Sequence, residues 1–269
     1  MPPAAFDSNA ADHSFQYPGP ILELVERDGT SLSFIEWFVT ERQGPRVVPR
    51  ALLPPALRSL AGQADEELGA ETLVVETTTD LGIPSFLAIT KERNLASHPF
   101  GAGASPVAGH AIERALSELL QFKRLGSAVR QAADRNRVLR QLGRWPPLVR
   151  CVEFDVPGLL QRGGSSRVAS PHSDFEALRD AGVDDCLRRL LATLQAKGLG
   201  CDHRPITAAD AEAACVLVLI PGIERFEMVR RSGPITPTGR GWGRWPRRAP
   251  RSSSVSRGLS GWRGGSPRP

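Results

Sequence analysis

The chain has 269 residues, 41% of them hydrophobic and 23% charged, enough for one sizeable domain or two small ones. No stretch approaches 18 consecutive apolar residues, which argues against a membrane-spanning helix. The opening Met1-Pro-Pro-Ala-Ala-Phe-Asp has neither the basic start nor the apolar core of a secretory signal.

The net charge of +5 is unevenly placed. From Arg230 onward there are ten arginines and no acidic residue, so the preceding part carries a net charge of −5. A mildly acidic folded part disfavours nucleic acid as a partner. The four cysteines, Cys151, Cys186, Cys201 and Cys215, contain no CxxC pair. They suit a reducing cytoplasm better than a disulfide framework or a zinc site.

Residues 1–20 read as loop. Pro20 then starts a short helix over Ile21–Asp28, which Gly29-Thr30 should interrupt, and Leu32–Thr40 resumes as helix or strand. A short helix is expected at Pro55–Gln63. Thr72–Thr79 and Pro84–Thr90, rich in β-branched residues, read as two strands around an Asp80-Leu-Gly-Ile turn. Phe100-Gly-Ala-Gly-Ala-Ser-Pro reads as a glycine-rich turn, with Ser105 as N-cap and Pro106 at the first helical position. The helix that follows is strongly patterned: Ile112, Ala115, Leu116, Leu119 and Leu120 form an apolar stripe at i, i+3, i+4, i+7 and i+8.

A second helical run is expected through Arg140, a loop over 155–175, a helix over Phe175–Lys197 and a buried strand over Ala214–Ile220. Helices and strands alternating in this way predict a mixed α/β (α+β) fold. The composition beyond residue 240 cannot build a core, so the expected division is a domain over 1–240 and a disordered basic tail over 241–269.

Two polar constellations could carry chemistry. On the first helix Glu23, Glu26 and Arg27 stand at i, i+3 and i+4, on the side away from Ile21, Leu22 and Val25. Two close carboxylates suit a magnesium ion that keeps phosphate oxygens as further ligands, and an adjacent guanidinium can fork onto phosphate. From spacing alone, a solvated face with an i,i+4 ion pair is the simpler account. On the later helix Arg114, Glu118 and Gln121 form a polar line at i, i+4 and i+7, facing either a ligand or water. Asp202-His203 beside Cys201 lacks a second ligand cluster and reads as a strand edge or loop.

Taken in order, Ser8-Asn9, then LELVERD (Leu22–Asp28), then PFGAGAS with AIERALSELLQ (Pro99–Gln121), then IPGIERF (Ile220–Phe226) make the chain similar to the YcaO family over roughly residues 8–240. The resemblance implies a YcaO-like domain of helices packed on a β-sheet. It also implies an ATP- and Mg²⁺-dependent enzyme that phosphorylates a peptide backbone amide oxygen on the way to an azoline or thioamide. By that resemblance Glu23 and Glu26 would be magnesium and ATP ligands, and Arg27 and Arg114 phosphate contacts. Glu118 and Gln121 would shape the nucleotide side; no catalytic residue is assigned. The implied partners are a peptide or protein substrate and a TfuA-like or E1-like protein; a second copy of the chain, as a homodimer, is a further candidate. The family's first nucleotide-binding helix, of Ser-x-x-Glu-x-x-Glu-Arg type, has no counterpart, so the domain is expected to be incomplete at its N-terminus. The alternative is therefore an impaired, non-catalytic scaffold that binds a partner protein or precursor peptide. An RNA-binding role for the tail is disfavoured by the irregular spacing of Trp242, Trp245 and Trp262.

Overall fold

The computed structural model describes residues 18–42, 44–91, 100–124, 139–162, 181–205, 216–226, 237 and 239–243. Four antiparallel strands, β1 (Arg46–Val48), β2 (Thr72–Glu76), β3 (Ser85–Thr90) and β4 (Phe100–Ala104), form one sheet in the order β1-β2-β3-β4. The apolar residues of β2 and β3 alternate between its two faces, as a pleated strand requires. Val74, Phe86 and Ala88 pack under α2 (Pro55–Leu68) and α3 (Ala108–Arg124).

Val75, Leu87, Ile89 and Ala102 meet the other layer. There α1 (Gly19–Phe34) runs into a π-helical turn (Ile35–Thr40), joined by α4 (Pro146–Glu153) and α5 (Val156–Arg162). Phe34, Phe38, Phe100 and Phe154 stack there with centroids 5.2–5.9 Å apart. A third cluster joins Ile21, Leu22 and Val25 of α1 to Leu190 and Leu194 of α6 (Val183–Ala196) and to Ile220 and Ile223. Beside it β5 (Asp202–Pro205) and β6 (Val216–Leu219) form a separate two-stranded ribbon. The mixed fold of helices packed on an antiparallel sheet agrees with the expectation. No helix among the described residues is long and apolar enough to cross a membrane.

Several local expectations need correction. Gly29 does not interrupt α1. A Cβ there would lie 2.7 Å from the Thr77 carbonyl oxygen and 3.0 Å from Ser85 Oγ, so the glycine is what lets the helix cross the sheet this closely. We therefore expect Gly29→Ala to lower stability by about 1–2 kcal/mol, the cost of overpacking outweighing the helix propensity that alanine adds. An unchanged or raised urea midpoint would contradict this.

Phe100–Ala104 is a strand and not a turn, paired along its length with Ser85–Ile89. The α3 helix starts at Ala108 instead of Pro106, because the Ser105 N–H still bonds the Pro84 carbonyl, 3.1 Å away, in continuation of the strand ladder. Ser105 Oγ nonetheless accepts from the Val107 N–H at 3.2 Å. Helix α2 reaches Leu68, beyond the expected Gln63, and Val156–Arg162 is helical where a loop was expected.

The Phe175–Lys197 helix begins at Val183 in the described part. Strand β6 is not buried: Leu217 and Leu219 are exposed, and among the described residues it pairs with β5 alone. Residues 1–17, 43, 92–99, 125–138, 163–180, 206–215, 227–236, 238 and 244–269 lie outside the described residues. With them lie the Ser8-Asn9 turn, most of the run expected through Arg140 and most of the tail. Of the tail, residues 241–243 are described, and Gly239–Trp242 forms a helical turn, α7.

Candidate functional site

Helix α1 buries Ile21, Leu22 and Val25 and so turns Glu23, Glu26 and Arg27 toward α3. Helix α3 in turn buries its stripe, Ile112, Ala115, Leu116, Leu119 and Leu120, and presents Arg114 and Glu118 on its outer side. The two helices come together because β4 lies between them and is built from small residues. A Cβ on Gly101 would overlap the Ala115 carbonyl, and one on Gly103 would overlap that of Ala111 and lie 2.8 Å from the Ala115 nitrogen. With no side chain on that face of the strand, α3 rests directly on the β4 backbone. The glycine-rich segment is thus a packing surface.

The polar groups converge on Glu26. Arg114 Nη2 lies 3.6 Å from Glu26 Oε2 and 3.9 Å from Glu23 Oε2. Arg27 pairs with Glu23 at 3.0 Å, which is the i,i+4 pair that spacing alone suggested. Glu26, however, is not on a solvated face. It is only 6% exposed, and among the described residues no donor reaches Oε2 within hydrogen-bond distance. Burial, and then the neighbouring Glu23 and Glu118 carboxylates, push its pKa up to about 8 against the opposing pull of Arg114 and Arg27.

Glu118 is held in place by accepting the Ala102 N–H at 2.7 Å. Gln121 is exposed, nearly a turn further along α3. Five of the six predicted site residues therefore share one locality, and Gln121 stands at its margin.

A buried carboxylate oxygen without a donor, flanked by two further carboxylates, is the environment a cation stabilises. No three acidic, histidine or cysteine side chains among the described residues form a ready metal cage. Magnesium takes one or two protein carboxylates and completes its shell with water and phosphate oxygens, a demand that Glu23 and Glu26 can meet. Exposed Arg114 and Arg27 supply the positive charge that a phosphate chain needs. The residues present fit a magnesium-bound nucleotide.

The sequence reading assigned no role to Asp28, Glu224 or Arg240. Asp28 is fully buried and accepts from the Glu224 N–H at 2.9 Å and from Arg240 Nη1 at 2.8 Å. Burial still raises its carboxyl above the ordinary value, with the Glu224 N–H, Arg240 and the Thr79 side chain acting the other way. The only signal for them was that Asp28 and Glu224 sit inside the LELVERD and IPGIERF stretches. Asp202 and His203 open β5, as a strand-edge reading anticipated. Cys201 is held as a thiol, its pKa pushed up to about 11 by burial and by Asp202.

A protein from Rhizobium leguminosarum bv. trifolii, described as an uncharacterized protein in the tfuA 3′ region, is 26% identical over 220 residues, 76% of this chain and 48% of its own length. The YcaO structure from Methanopyrus kandleri, bound with AMPPCP and Mg²⁺, shares the fold with a TM-score of 0.50 at 21% identity, over 77% of this chain and 51% of that one. The heterocyclase TruD aligns at 22% identity and a TM-score of 0.48, over 75% of this chain and 26% of that one. The chain thus spans about half the length of the curated relative it matches. The family model "YcaO cyclodehydratase, ATP-ad Mg2+-binding" matches residues 20–224, most of the chain and every element that builds the Glu26 cluster, and the chain belongs to that family.

Proposed function

We propose that this chain binds ATP with magnesium between α1 and α3 and uses it to activate a peptide backbone amide by O-phosphorylation, leading to an azoline or thioamide in a ribosomally made peptide or protein. The observation that carries this reading is the buried, donor-less Oε2 of Glu26 beside Glu23, with Arg114 within 4.0 Å of both. Glu23 and Glu26 would hold the metal, and Arg114 and Arg27 would contact the phosphates. Glu118 would border the nucleotide from α3, with Gln121 at the edge. Bound there, Mg·ATP supplies a phosphoryl group that turns the amide oxygen, a very poor leaving group, into a good one. The protein's part is to hold charge in position, which is most of what phosphoryl transfer asks of its site.

Between the two products we favour the thioamide, with a TfuA-like partner, because the Rhizobium relative is described by its place beside tfuA. The nucleotide reading is tested by titrating Mg·AMPPCP into the full chain. Binding should require Mg²⁺, and Arg114→Met should weaken it about tenfold or more, the loss of one charged contact. Equal affinity in the variant would remove Arg114 from the site. If the chain captures a peptide but no nucleotide at millimolar Mg²⁺, the scaffold reading replaces this one.

A further inference from the structure

The acidic face of α1 is useful only if the helix is held in one rotation against α3. Glu26 is buried beside Glu23, and Arg114 of α3 lies 3.6 Å from the one and 3.9 Å from the other, so the geometry of this cluster depends on where α1 sits against α3. The opposite side of the same helix is gripped. Asp28 lies two residues on from Glu26, about 200° round the helix, and its buried carboxylate takes the Glu224 N–H and the Arg240 guanidinium.

Arg240 also pairs with Asp80 in the turn between β2 and β3. The next residue, Gly241, donates its N–H to Glu224 Oε2 at 2.6 Å, and Glu224 is itself fully buried. Gly241 fits there because it lacks a side chain: a Cβ would lie 2.5 Å from the Glu224 carboxyl carbon and 2.7 Å from Ile35 Cδ1. Residues 240 and 241 therefore join α1, the β2–β3 turn and the segment after β6 through the buried carboxylates of Asp28 and Glu224 and the exposed one of Asp80.

We infer that Arg240, with Asp28 and Glu224, is a positioning clamp that fixes the rotation and depth of α1, so that Glu23 and Glu26 stay aimed at the ion. This rests on the magnesium–nucleotide reading of the Glu26 cluster. The three residues touch neither ion nor substrate and act by holding the helix that does, as outer partners of metal ligands do elsewhere.

The test uses the full chain, with Arg240→Met to remove the charge at similar reach, Arg240→Lys to restore it in part, and Asp80→Asn as a mild variant that leaves the Asp28 pair intact. Two quantities are read: the affinity for Mg·AMPPCP, and amide hydrogen exchange in α1 relative to α3. We expect Arg240→Met to weaken nucleotide binding about 10–100-fold and to speed exchange over residues 21–28 while α3 stays protected. Asp80→Asn should shift both quantities less, in the same direction, and Arg240→Lys should recover part of the affinity. Unchanged affinity in Arg240→Met, or equal loss of protection in α1 and α3, overturns the clamp. A wild-type chain that binds no Mg·AMPPCP overturns the site reading and the clamp with it, so the two failures are distinguishable.

Discussion

Replacing Glu26 by glutamine is expected to make the metal-free protein more stable at alkaline pH while abolishing magnesium-dependent nucleotide binding. The wild-type carboxyl is buried, and among the described residues no donor reaches its Oε2. Leaving such a group charged and unsatisfied costs about 1–3 kcal/mol or more. Its folded-state pKa of about 8 lies above the ordinary 4.5, so the folded protein favours the protonated form. The stability contributed by this proton is complete below pH 4.5 and is lost as pH rises through about 8.

Wild type and Glu26→Gln should therefore melt together near pH 5, and the variant should melt higher at pH 9. Magnesium with AMPPCP should reverse the order, raising the wild-type midpoint and leaving the variant where it was. Because the metal needs the ionised carboxylate, its affinity should climb between pH 6 and about 8, and calorimetry at pH 7 should detect release of about one proton per ion bound. Equal stability of the two proteins at pH 9 without metal would show that the carboxylate is not confined as described.

The largest structural effect is expected at β4. Gly103→Ala should cost on the order of 3 kcal/mol or more, since the added methyl would collide with backbone of α3 at Ala111 and Ala115, and backbone cannot rotate aside as a side chain can. Gly101→Ala should behave alike through Ala115 and Leu119. The control is Gly109→Ala on the same helix, where an added Cβ meets nothing within 4 Å and alanine should add roughly 0.5–1 kcal/mol of helix stability. Denaturant midpoints of the three variants decide the matter. If Gly103→Ala and Gly109→Ala were equally mild, α3 would not rest on the β4 backbone. Because β4 also carries the Ala102 N–H that holds Glu118, Gly103→Ala should weaken nucleotide binding as well.

Much of this arrangement could be read without coordinates, because it depends on periodicity. The apolar stripe of α3, the β2 and β3 strands around a turn with Gly82 at φ 68°, and the burial of Ile21, Leu22 and Val25 follow from which residues recur at helical or alternate spacing. The polar remainder of the same two helices named five residues that do gather in one place. Those periods could not tell a solvated acidic face from a buried one. Glu23 and Glu26 have the same spacing under both accounts, and Glu26 is enclosed because α3 packs against β4 beside it.

The misread glycines share one physical cause. Gly29, Gly101 and Gly103 looked like chain breakers because glycine lowers helix and strand propensity locally, yet each lies where another element's backbone approaches too closely for a side chain. That requirement comes from residues such as Thr77, Ala111 and Ala115, brought near only by packing. Asp28, Glu224 and Arg240 were missed for the same reason. Asp28 and Arg240 are 212 positions apart, and no local pattern links a carboxylate on the first helix to a guanidinium near the far end of the chain. Spacing along the chain specifies which side of each element is oily and which is charged. Which charges meet, and which of them lose water, depends on long-range contacts that only the assembled core creates.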